Sequence, residues 1–160
     1  MDRADLAVEQ WARERPDLNT LPMSIFGRLN EAAERVMREH MNPLFAKAGL
    51  QAGEFDVLAT LRRSGEPYRL SPTQLYEATM ISSGGMTDRL DRLERAGFVM
   101  RRPDPKDRRG KLIVLTEPGK RLVDETLSRH VANEERLLLS LTQAEQETLD
   151  ALLKKLVAAL

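Results

Sequence analysis

The chain has 160 residues, 41% hydrophobic, 31% charged and only 4% aromatic, with 25 Lys/Arg balanced by 25 Asp/Glu. That length suits one compact domain, and the balance suits a helical, water-soluble protein with many exposed ion pairs. The lack of cysteine excludes disulfides, thiolate metal sites and cysteine redox sensing, and no cofactor or metal is expected.

The N-terminus, MDRADLAVEQW, is polar and acidic, without the basic and then apolar pattern of a secretory signal. No window approaches the roughly 18 apolar residues of a membrane span, so a cytoplasmic protein with no membrane contact is expected. Residues 3 to 14 are compatible with a short helix carrying one large anchor, Trp11, before RPDLNTLP breaks it with two prolines. From Ser24 to Lys47, Ile25, Leu29, Ala32, Val36, Leu44 and Phe45 recur at three- and four-residue steps, predicting a long amphipathic helix that Pro43 bends. A short link bracketed by Gly49 and Gly53 leads to EFDVLATLRRSG, a helix that Gly65 ends.

LSPTQLYEATM opens the next helix with Ser71 as N-cap, Pro72 at the first helical position and Gln74 completing a capping box. After ISSGG comes MTDRLDRLERAG, a further helix, and then the period changes. FVMRR and KLIVLT read as two short strands around PDPKDRRG, which has turn chemistry. Thr116 caps a helix that starts Glu117-Pro118 and runs to about Leu139, and Thr142 with Glu145 boxes the last helix, residues 143 to 158. Leu149, Leu152, Leu153, Leu156 and Leu160 form an apolar stripe on that terminal helix. Long helices at both chain ends around a small centre favour packing on a second copy, and a homodimer is expected. His40 and His130 lie on separate predicted helices without a second ligand at metal spacing.

Two short helices joined by a tight turn and followed by a basic hairpin form the plan of a winged helix-turn-helix. The fold class expected is mainly α with a small β-hairpin wing. Residues 54–116 form the winged helix-turn-helix of a single 1–160 domain, and 1–48 and 117–160 supply the N-terminal extension and the dimerisation helices. The charge distribution agrees with a nucleic-acid partner. Arg89 to Lys111 holds nine Lys/Arg against four Asp/Glu, a local +5 on a neutral chain. Such a basic hairpin offers Lys106, Arg108, Arg109 and Lys111 at its tip.

At about 100° per residue, Met86, Leu90, Leu93 and Gly97 fall within about 40° of one direction and face the core. Asp88, Asp91, Arg92 and Arg95 fall on the far side with Thr87 flanking them, the face available to solvent or DNA. Arg89 stands roughly 60° from the leucine stripe, at the edge of the buried face, where a guanidinium needs a carboxylate partner.

The stretch SSGGMTDRLDRLERAGFVMRRPDPKDRRGKLIVLTEPG resembles the recognition helix and wing of the MarR family of transcriptional regulators, including the Asp-Arg-Arg wing signature and the Leu-Thr-x-x-Gly that follows. The resemblance implies a homodimer bound to a pseudo-palindromic double-stranded operator, usually as a repressor, that a small molecule releases. It places Ser82, Ser83, Thr87, Asp88, Arg92, Arg95, Lys106, Arg108, Arg109 and Lys111 at the DNA. Position 88 is an acid where many relatives carry an amide or a base; Asp88, and Asp91 with it, can pair with an arginine on the wing, or Asp88 can accept from a cytosine amino group.

A narrower resemblance is to the urate-responsive branch, which includes the PecS-like regulators: Trp11, Asp56, Arg89 and Arg101 supply that branch's tryptophan, aspartate and two arginines in order. It implies a site for urate or a similar purine or phenolic anion, with Asp56 paired to Arg89. Two guanidiniums suit a planar anion and an indole supplies a stacking wall. Each residue also has a purely structural reading, and two other functions stay open: a regulator answering a different phenolic ligand, and a winged-helix module for protein contacts alone. An enzyme is not expected, since no nucleophile and base or metal cluster is visible.

Overall fold

The computed structural model describes residues 1–80 and 85–160, with the side chains of 108 and 109 left out. The chain forms two compact units, Met1–Ala46 and Lys47–Leu160.

In the first unit, α1 (Arg3–Glu14) begins at a capping box of Asp2 and Asp5. α2 (Leu21–Arg35) runs into a π-helical turn, Val36–Met41, that leads to α3 (Asn42–Lys47). At Pro43, where a bend is expected, the helix carries a widened π-turn just ahead of the proline, which cannot donate to the carbonyl four residues back. α1 packs on α2 through small residues, an added Cβ at Gly27 lying 3.8 Å from the Ala4 Cβ. Arg28 fastens the pair by donating to both Asp2 carboxylate oxygens, at 2.8 and 3.2 Å, and to Asp5 and Ser24. Trp11 is 43% exposed on α1.

In the second unit the order is α4 (Glu54–Arg63), β1 (Arg69–Leu70), α5 (Pro72–Ala78), α6 (Met86–Arg95), β2 (Val99–Asp104), β3 (Asp107–Leu115), α7 (Glu117–Leu137) and α8 (Gln143–Val157). The capping residues read from the sequence act as such. Ser71 and Gln74 exchange bonds at the start of α5, Thr142 and Glu145 at the start of α8, and Thr116 accepts from the Gly119 N–H at the start of α7. The core gathers Leu58, Leu61, Leu75, Leu93, Ile113 and Val123 from α4, α5, α6, β3 and α7, each essentially without exposure. α6 buries Met86, Leu90 and Leu93, the face its periodicity predicts.

Three expectations need correction. The hairpin is part of a three-stranded antiparallel sheet of order β1-β3-β2, because Arg69 and Leu70 pair with Val114 and Ile113. Its strands also run further than composition suggests, so that only Pro105 and Lys106 turn between Asp104 and Asp107. Lys106 thus holds the tip, whereas 108 to 111 belong to β3. Gly97, expected in the core, is exposed; its φ of +76° closes α6, with the Phe98 N–H donating to Leu93 O and the Gly97 N–H to Glu94 O, a Schellman end.

Gly119 has a stricter cause. A Cβ there would stand 2.1 Å from the Phe98 carbonyl oxygen. Thr116 donates its N–H to that same oxygen at 3.1 Å, and its hydroxyl proton is shared between the Gly97 carbonyl, at 2.7 Å, and the Phe98 carbonyl, at 3.0 Å. The Leu-Thr-x-x-Gly run is therefore the joint between the end of α6 and the start of α7.

Candidate nucleic-acid interface and ligand site

α5 and α6 stand in helix-turn-helix order, with the β2-β3 wing following α6. Thr87, Asp88 and Arg95 are exposed on α6, and Lys106 and Lys111 are exposed on the wing. Ser82 and Ser83 lie outside the described residues, as do the side chains of Arg108 and Arg109.

The remaining charges of α6 are committed within the protein. Arg92, expected on the far side, turns inward: its Nε donates to Glu54 Oε1 at 2.7 Å, and Glu54 is 4% exposed. A helical wheel fixes only where a side chain leaves the helix, and a guanidinium on three methylenes can fold back over the surface to a carboxylate. Glu54 escaped the sequence reading, although an acid inside the buried run EFDVLATL is a signal, since a buried carboxylate requires a partner.

Asp91 does pair with an arginine on the wing, the alternative raised for it from the sequence. Arg101 Nη2 lies 2.5 Å from Asp91 Oδ1, and Nη1 donates to Glu94, whose second oxygen accepts the Arg101 N–H at 3.0 Å. Hydrogen bonding to Asp91, and then to Glu94, raises the Arg101 guanidinium above its ordinary value. It braces β2 against α6.

Asp56 and Arg89 are not joined to each other among the described ion pairs. Asp56 Oδ2 accepts the Met80 N–H at 2.8 Å, immediately beyond α5, and Arg89 Nε donates to the Ala52 carbonyl at 3.3 Å, from the edge of the buried face. Both lie within the second unit, as does Arg101, while Trp11 belongs to the first. Each of Asp56, Arg89 and Arg101 thus already holds a partner that an incoming anion would have to displace or share. Among the described residues no cluster of His, Asp and Glu is placed to hold a metal ion, and no helix is long and apolar enough to cross a membrane.

A helix-turn-helix followed by a braced wing defines a winged-helix DNA-binding protein. Residues 48–110 match the profile of the MarR family. The chain is 44% identical over 146 residues to the HTH-type transcriptional regulator PecS of Dickeya dadantii, a match spanning 91% of this chain and 87% of that protein. A mutant MarR from E. coli, solved in complex with operator DNA, superposes with a TM-score of 0.72 at 27% identity, over 91% of this chain and 96% of that one. The structure of Bordetella bronchiseptica BpsR, described as regulated in its DNA binding by 6-hydroxynicotinic acid, superposes with a TM-score of 0.66 at 26% identity, over 81% and 98%.

This chain belongs to the MarR family, and it is a PecS-like DNA-binding transcriptional regulator rather than an enzyme.

Proposed function

We propose that the protein is a cytoplasmic homodimeric repressor that binds a pseudo-palindromic operator and is released by a small planar anion, urate being the first choice. In this reading residues 54–116 read DNA and the flanking 1–48 and 117–160 carry the effector-side extension and the dimer contacts. Thr87, Asp88 and Arg95 approach base edges, and the wing lysines approach phosphate or the minor groove. The observation that carries it is the pairing of an outward polar face on α6 with a basic wing fixed to the same helix by Arg101.

The dimer is supported by apolar side chains left exposed on the terminal helices, among them Phe26 and Ile25 on α2 and Leu149, Leu152 and Val157 on α8. The choice of urate is supported by the order of Trp11, Asp56, Arg89 and Arg101 together with the likeness to PecS. Urate gains differential contact only where it replaces the present partners of Asp56, Arg89 and Arg101, the requirement for a ligand to shift a conformational equilibrium. A second reading, a hydroxylated pyridine carboxylate or phenolic acid as effector, is favoured by the likeness to BpsR.

A gel shift with the upstream region of the protein's own gene at low salt, repeated with urate and with 6-hydroxynicotinate, tests both. A shifted band that urate abolishes is the expected result. Release by the pyridine alone selects the second reading, and no shifted band at all removes the operator model. Leu152→Asp, run by sedimentation velocity, is expected to yield monomers.

A further inference from the structure

We propose that Glu54 is a positioning residue for DNA reading: it locks the rotation of α6 about its own axis. Burial of Leu90 and Leu93 decides which side of α6 faces inward, but apolar contact is non-directional and tolerates a turn of several degrees. Hydrogen bonds to fixed acceptors narrow that range. Glu54 uses both carboxylate oxygens, Oε1 accepting from Arg92 Nε at 2.7 Å and Oε2 from the Gln51 N–H at 2.6 Å. One turn back on the same side of α6, Arg89 Nε reaches the Ala52 carbonyl at 3.3 Å. The segment 51–54 therefore grips α6 at two levels, and Glu54 is the only side chain in that segment to take part in either bond. Its side chain is 5% exposed, so the charge is held from water and depends on these two donors.

This inference rests on the reading that α6 lies in the major groove. It also carries a sign opposite to simple electrostatics. Neutralising an acid in a DNA-binding protein adds net positive charge and by itself tightens binding to phosphate. Removal of a positioning residue weakens recognition of the correct sequence and leaves binding to an arbitrary one intact.

The test measures full-length protein against two duplexes: the one that wild type selects from a randomised library, and a scrambled duplex of equal length. Glu54→Gln removes the charge, whereas Glu54→Asp keeps it and shortens the reach by about 1.5 Å. Both are expected to lose about tenfold or more on the selected duplex and to stay within about twofold on the scrambled one. Wild-type affinity in Glu54→Asp, or tighter binding of both duplexes by Glu54→Gln, overturns the proposal.

If the Glu54 variants do not fold, Arg92→Met decides from the other side of the bond. Selective loss at an unchanged salt slope supports positioning, and a slope reduced by about one makes Arg92 a phosphate ligand and overturns it. Arg95→Ala reports on the groove reading itself. No loss there removes α6 from the groove and the inference with it, whereas loss there with none in Glu54→Asp overturns the inference alone.

Discussion

Arg101 Nη2 lies 2.5 Å from Asp91 Oδ1, so the first strand of the wing is ion-paired to the helix it accompanies. On the proposed reading, in which α6 and the wing contact one operator, this pair fixes the offset between them.

Arg101→Met should accordingly weaken binding of the selected operator by about 1 to 2 kcal/mol, the usual scale of a charged hydrogen bond in a half-buried setting. The salt slope should barely move, because Arg101 spends its charge on Asp91 and Glu94. Isothermal titration at several salt concentrations measures both quantities. A slope lower by a full unit makes Arg101 a phosphate contact instead.

Urate should raise the melting temperature of the wild type, and Arg89→Ala or Trp11→Ala should abolish that rise, since a ligand stabilises the folded state only through the sites it occupies. A thermal-shift screen that includes 6-hydroxynicotinate and phenolic acids identifies the effector class. An undiminished urate shift in both variants places the ligand elsewhere.

Gly119→Ala should destabilise the protein by about 1 to 3 kcal/mol or more, because the new methyl collides with backbone and not with a side chain that can rotate away. The obstacle is the Phe98 carbonyl, 2.1 Å from the added Cβ. Differential scanning calorimetry gives the loss directly. An unchanged melting temperature removes the tight joint from the account of the Leu-Thr-x-x-Gly run.

Acid should loosen α1 from α2. The hydrogen bond from Arg28, followed by the Asp5 N–H, holds the Asp2 carboxyl below the usual range. A folded value below the unfolded one gives stability that is present above the unfolded pKa and fades as pH falls through the folded one, so the change belongs below about pH 4. Trp11, the sole tryptophan, lies on α1 and reports it by fluorescence. Asp2→Asn should shrink the acid transition; the same transition in that variant assigns it to other carboxyls.

Features encoded by neighbours in the chain were legible in the sequence. Ser71 with Gln74, Thr142 with Glu145 and Thr116 announce helix starts because a cap needs only a side chain and an amide three residues away. The buried face of α6 was legible for the same reason, its period being local. β1 was not, since two residues carry no period and acquire their conformation only by pairing with Ile113 and Val114. The wing turn was placed too broadly because Asp, Arg and Gly look like turn residues until β2 supplies a partner. At the site, the separation of Arg89 from the outward charges was legible from its angle. The partners were not: Arg92 meets Glu54 and Asp56 meets Met80 across 38 and 24 residues, distances over which spacing carries no information.

The joint at Phe98 also makes α7 a lever. Its 21 residues span about 30 Å, so one degree of tilt at the Thr116 root swings the far end by about half an ångström. Read in reverse, an ångström of displacement near Leu137 corresponds to about two degrees of tilt of the helix axis. Burial of Val123 and Thr126 and the 2.7 Å pair of Arg62 with Asp124 hold the first half of α7 on α4, so a small error in seating those residues is magnified at the distal end.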